Sequence, residues 1–223
     1  MISVTVRAYP VLPVTLYTFA YNTTSNSDTF WSLVAYFHNQ LPDLSDNGAM
    51  GYYFIFPNNS EVQPPPLDPA RLGSIFGVWI VPNKTVEESL KIFAPMEEAI
   101  RNKTFNGSDP VFLSNETLSA PDFTKAWMLN PAGTVGSDVR LGSRLLGRKA
   151  LKSDPQTAKR LFKQTTTIPQ YPILGHLVAG LGVKNVKIPG GSNSVLPAWR
   201  DAYTHIGKSS SHHTNSSPVF VLH

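Results

Sequence analysis

The strongest constraint on the fold is a helical stripe caught between strand-like runs. Phe30, Leu33, Val34, Phe37 and Leu41 recur at the spacing of one α-helical face. Ser27 and Asp28 stand before them as a cap, and Pro42 marks the expected stop. On the N-terminal side, Ser3 to Tyr9 and Val14 to Tyr21 are rich in β-branched and aromatic residues and are punctuated by Pro10 and Pro13. That composition predicts two strands and a short turn. Tyr52 to Phe56 and Ser74 to Val81 repeat it on the far side of the helix. The loop from Asn58 to Pro69 separates them, because its three successive prolines cannot join a sheet interior. Thr85-Val86-Glu87-Glu88 has capping-box spacing, and Val86, Leu90, Phe93 and Ile100 continue one helical face. Pro95 is expected to bend or divide this second helix.

Strand, helix, strand, strand, helix is a ferredoxin-like rhythm. It predicts an α+β fold in which an antiparallel sheet is backed by helices on one face. The other face must meet water or a cover. Tyr52, Phe54, Phe56, Phe76 and Trp79 alternate along the two central strands, and either supply that free face or fill the core under the helices. Farther on, Phe112 to Leu118 reads as a weak strand and Pro121 to Leu129 as a short helix. Gly133 to Leu146 is glycine-punctuated, and Asp154-Pro155 opens a helix to about Gln164. Tyr171 to Ile206 reads as two strands joined by a wide glycine-rich connection. Residues 1–208 are taken as one domain and 209–223 as a flexible tail.

Several chemistries have no sequence support. There is no cysteine, hence no disulfide, thiolate metal site or cysteine nucleophile. Dinucleotide and phosphate loops, the serine elbow and H-E-x-x-H are absent. His205, His212, His213 and His223 follow no zinc spacing, so no metal is expected. No apolar run is long enough for a membrane span, and Met1 to Val4 does not open like a signal peptide. Arg140, Arg144, Arg148, Lys149, Lys152, Lys159, Arg160 and Lys163 face only Asp154 over their stretch. Without a nucleic-acid signature they read as a solvated helix and loop.

Seven sequons, at Asn22, Asn58, Asn83, Asn102, Asn106, Asn115 and Asn215, point to a secreted glycoprotein. His176 is the best acid/base candidate, since an imidazole titrates near neutral pH and a strand position aims it at one sheet face. A buried histidine bonded to a backbone carbonyl is the alternative. Tyr203 and Arg200 could orient an anionic or phenolic substrate, and Arg200 could equally be a surface residue.

VTVRAYPVLPVT near the start, VGSDVRLGSRLL in the middle, and HLVAG followed by SVLPAWRDAYTH near the end resemble a series in the fungal berberine-bridge-like FAD-linked oxidoreductases. These are flavoproteins of the vanillyl-alcohol-oxidase (VAO) type. The resemblance implies a two-part enzyme: one domain binds FAD, often through His and Cys, and an antiparallel sheet with rear helices covers the flavin and forms the substrate pocket. This chain resembles the second part only. The closing Tyr-x-Asn segment has no counterpart after His205, and Ser209 to His223 resembles an unrelated ending.

The resemblance therefore implies the substrate-binding portion of an oxidase acting on an alcohol, sugar or amine-like substrate, incomplete and inactive alone. FAD would belong to a separate domain or chain, and the sequence would be a fragment of a longer gene. His176 or Tyr203 would be the base. Ser143 and Arg144 would lie on a neighbouring pocket strand, with Trp199 and Arg200 near the rim. A non-catalytic secreted glycoprotein or binding module derived from this fold is the alternative function.

Overall fold

The structure is a computed structural model, and it describes residues 10–59, 72–129, 139–165, 172–187 and 195–211. The strand expected at Ser3 to Tyr9, most of the glycine-rich connection, and Asn215, His212, His213 and His223 lie outside the described residues.

Strands β1 (Val14–Thr24), β2 (Met50–Asn59), β3 (Leu72–Pro82) and β4 (Phe112–Ala120) alternate with helices α1 (Asp28–Asp46) and α2 (Val86–Arg101). They pair in the antiparallel order β4-β1-β3-β2. The connection from β1 to β2 must pass over β3, which carries α1 across the middle of the sheet. Phe37 of α1 accordingly stacks on Trp79 of β3 at 6.1 Å. The same logic carries α2 over β1, where Phe93 stacks on Tyr17 at 4.3 Å.

Three further strands extend the sheet from β2. They are β5 (Val139–Gly147), β6 (Ile173–Leu177) and β7 (Ala202–Ser211), and the full order is β4-β1-β3-β2-β6-β7-β5, antiparallel throughout. Thus β6 joins the ferredoxin-like half to its extension. Between these strands lie α3 (Phe123–Leu129), α4 (Arg148–Leu151), α5 (Pro155–Thr165), α6 (Leu181–Lys184) and a 3-10 turn at Pro197–Arg200. The α+β sheet backed by helices is thus the observed fold, and α3 adds a short cover to one end of the opposite face. There Ala126 packs with Val14, Leu16, Val78 and Ala120.

The expected stop at Pro42 needs correction. The first helix was expected to stop before Pro42, yet α1 continues to Asp46. Burial of Leu41 and Leu44 favours the extra turn, and Asn47 closes it by donating its side-chain amide to the Asp43 carbonyl at 2.8 Å. Pro95 does not divide α2, which is continuous through it. Pro95 is exposed, so water can satisfy the carbonyl left without a donor.

The basic stretch is not simply solvated. Lys159 binds Asp28 of α1, Lys152 binds Asp43, and Arg148 reaches both Asp43 and Asp46. A cationic segment and the acidic edge of α1 neutralise one another. These partly exposed pairs fix position more than they stabilise.

Candidate functional site

Along β6 the pattern is strict alternation. Ile173, Gly175 and Leu177 are buried toward the helices, while Leu174 and His176 are half-buried on the other face. Period-two geometry and the register then define what shares that face. Tyr52 pairs with His176, and Phe54 pairs with both Leu174 and Phe76. The rings continue as a ladder: Tyr52 to Phe54 edge-on at 5.9 Å, Phe54 to Phe76 stacked at 5.5 Å, and Phe56 to Phe76 stacked at 5.6 Å. Trp79 leaves the set, because it is fully buried in the core under the helices. Four of the five alternating aromatics therefore stand on the face away from the main helix layer.

His176 also pairs with His205 of β7, their rings stacked at 6.0 Å, and Trp199 lies 5.6 Å from His205. Burial, and next the charge of His205, hold the His176 imidazole below its ordinary range. A hydrogen bond to the His205 backbone opposes these two effects, and the neutral imidazole they favour is the form in which a histidine accepts a proton. Ser143 pairs with Gly207, two residues from His205, and so stands exposed on the same face.

The remaining candidates are not brought together with these. Arg144 is exposed and pairs with Ile206, which packs toward the helix-side core, so alternation turns Arg144 away from His176. Arg200 donates to the Val183 carbonyl at 3.3 Å. Tyr203 is only 6% exposed; its hydroxyl donates to Asp46 Oδ2 at 3.3 Å, and the Arg148 guanidinium lies 5.1 Å over its ring. The register shift between Leu146 and Gly147 explains this placement, since it leaves Tyr203 without a cross-strand partner and frees it to turn toward the end of α1.

Behind His176 lies a polar chain that sequence reasoning missed. His38, buried in α1, contacts the Val34 carbonyl through Nδ1 at 2.8 Å. A carbonyl only accepts, so Nδ1 carries the proton and Nε2 must accept. Tyr53 supplies that donor at 3.0 Å. Thr204 Oγ1 sits 3.3 Å from the Tyr53 hydroxyl and donates to the His176 carbonyl at 3.0 Å. The backbone of the candidate base is thereby tied through the sheet to α1. His38 falls outside the apolar stripe, and no spacing signal links it to residues 53 and 204.

Gly175 makes this approach possible, because a Cβ there would strike the Tyr53 ring. Gly180, in the HLVAG segment, adopts φ +114°, and the preceding Ala179 carbonyl accepts from Ser45 Oγ at 2.9 Å. The turn after β6 is thus pinned to the end of α1.

A surface cleft of about 470 Å³ lies elsewhere, between α1 and α2, lined by Asp43, Lys84, Glu88 and Lys91 among others. Its mixed charges mark no chemistry, and it contains none of the candidates. Among the described residues there is no cluster of metal ligands and no helix long and apolar enough to cross a membrane.

No family model matches the chain. It is 31% identical over 189 residues to an uncharacterized FAD-linked oxidoreductase of Arthroderma benhamiae, covering 81% of this chain and 30% of that protein. It is 27% identical over 201 residues to FAD-linked oxidoreductase patO of Aspergillus clavatus, covering 90% of this chain and 32% of that one. The chain belongs to the fungal FAD-linked oxidoreductases. It spans about a third of the length of these relatives. The fold agrees: the VAO-type flavoprotein MtVAO713 of Myceliophthora thermophila C1 superimposes with a TM-score of 0.72 at 24% identity, covering 89% of this chain and 34% of that one.

Proposed function

We propose that this FAD-linked oxidoreductase segment is the substrate side of an oxidase acting on an alcohol, sugar or amine-like substrate. The observation carrying the proposal is the cross-strand pair His176 and His205, flanked by Trp199 and set in a half-buried aromatic face opposite the main helix layer. A half-buried aromatic sheet face is suited to closing over a flat partner.

The half-buried aromatic face around His176 supports the reading that this segment covers one side of a flavin ring. The described residues do not form a glycine-rich phosphate cradle, and the chain has no cysteine to attach a flavin. We therefore assign FAD anchoring to a separate domain or chain and flavin covering to this one. When bound, FAD supplies the hydride acceptor. His176 takes the proton from the substrate hydroxyl or amine, while Trp199 and Ser143 contact the substrate. Tyr203, Arg148 and Asp46 hold β7 from behind. We further propose that the protein is secreted and glycosylated, with a small-molecule substrate as ligand and no role for nucleic acid or membrane.

The test is a chimera in which this chain replaces the matching third of the Arthroderma benhamiae protein. Flavin absorbance and oxygen consumption are then measured over a substrate panel. His176→Gln is expected to lower kcat by about 10²–10⁴-fold with flavin absorbance unchanged. An unchanged kcat would overturn the assignment of the base.

A further inference from the structure

The seven sequons do not have equal standing once the chain is folded. Asn22 lies in β1, is 8% exposed, and accepts a 2.7 Å hydrogen bond from the fully buried Ser74. It pairs with Ser74, which pairs with Phe56, so it sits on the aromatic face. Asn115 in β4 donates its amide to both Glu97 carboxylate oxygens at 3.0 Å, and Glu97 is itself buried. A glycosylated amide keeps a single N–H, so a sugar at Asn115 would break one of these bonds and wedge against a buried carboxylate.

Asn115 is exposed, but its amide is held by the buried Glu97; among the described residues, Asn83, Asn102 and Asn106 have no such side-chain bond to a buried partner. All three are exposed and lie outside the sheet. Asn83 and Asn106 occupy turns with φ of 56° and 63°, and Asn102 is the C-terminal cap of α2. Asn83 stands just before the Thr85 cap of the same helix. The three acceptors therefore bracket α2, whose sixteen residues span roughly 24 Å.

From this placement we infer that Asn83, Asn102 and Asn106 carry N-glycans, and that Asn22 and Asn115 do not. The assignment rests on the secretory reading above. Each acceptor Nδ2 loses one proton as its bond to sugar C1 forms and the C1–O bond to a lipid-linked diphosphate donor breaks. Attachment precedes folding, so the native structure acts as a filter on which glycans an exported molecule can carry. Three glycans around α2 mark the helix layer as the solvent side and leave the His176 face bare for its cover. Half-buried Asn58 belongs to neither set.

The experiment routes the full chain through a yeast secretory pathway behind a leader. The exported protein is treated with peptide N-glycosidase in heavy-oxygen water, and Asn-to-Asp labelling is mapped by mass spectrometry. The expected result is labelling at Asn83, Asn102 and Asn106 and none at Asn22 or Asn115. Thr104→Ala and Ser108→Ala should each remove one glycan from the intact mass. Labelling at Asn22 or Asn115 in exported protein, or its absence at the three α2 sites, overturns the assignment. Because the leader is supplied, the outcome is independent of the native destination. Glycan-free protein in native cells would instead overturn the secretory reading.

Discussion

The Tyr53 hydroxyl and the His38 Nε2 lie 3.0 Å apart in a sealed interior, directly behind the strand that carries His176. Burial drives the Tyr53 hydroxyl pKa upward, so it remains a donor. Tyr53→Phe leaves the buried Nε2 of His38 without a partner and should destabilise the fold by about 1–3 kcal/mol. Urea unfolding followed by tryptophan fluorescence would measure it, and an unchanged midpoint would mean the bond is not made.

The same histidine makes stability depend on pH. Burial lowers the His38 pKa to about 4, against an ordinary value of 6.5. Between these values the unfolded chain binds a proton that the folded chain refuses, so stability rises with pH. The contribution is full above about pH 6.5, is lost progressively as pH falls toward 4, and amounts to roughly 3 kcal/mol. Denaturant midpoints taken from pH 7.5 to 4.5 should fall accordingly. His38→Gln, though less stable, should reduce that slope.

Packing around Tyr53 predicts a glycine effect. Gly175→Ala places a methyl against the Tyr53 ring and should cost about 1–3 kcal/mol. Combining it with Tyr53→Ala should recover part of the loss, and a double-mutant cycle would reveal the coupling. Additive effects would contradict the contact.

A second buried polar centre predicts unequal partners. Glu97 accepts from Tyr17, Asn115 and Arg101, and it is 5% exposed. Glu97→Ala strands the buried Tyr17 hydroxyl and should cost about 1–3 kcal/mol. Arg101 has a mostly exposed side chain, so Arg101→Ala should cost less than about 1 kcal/mol. Thermal melts of the two variants would separate them, and equal shifts would contradict the burial argument.

Local periodicity made the first half of the fold legible. The stripe from Phe30 to Leu41 and the Thr85 capping box placed both helices, because a helix face and a cap are properties of neighbouring residues. The end of α1 was not legible, since long-range burial of Leu44 offsets the cost of Pro42. Among the candidates, alternation along β6 aimed His176 at a sheet face. Tyr203 was illegible for the opposite reason: the register shift beside Gly147 redirected it to Asp46, and strand pairing is set by a distant segment.

By itself, then, the sequence determined the α+β rhythm, the strand that carries His176 and a family resemblance, all of which follow from residue type and short spacing. Only the tertiary structure decided that His205 and Trp199 gather beside His176 while Tyr203 and Arg144 turn away. It also decided that His38, Tyr53 and Thr204 meet behind the site. Their sequence separations are large, and antiparallel register and helix crossover, which no local pattern encodes, bring them within hydrogen-bond range.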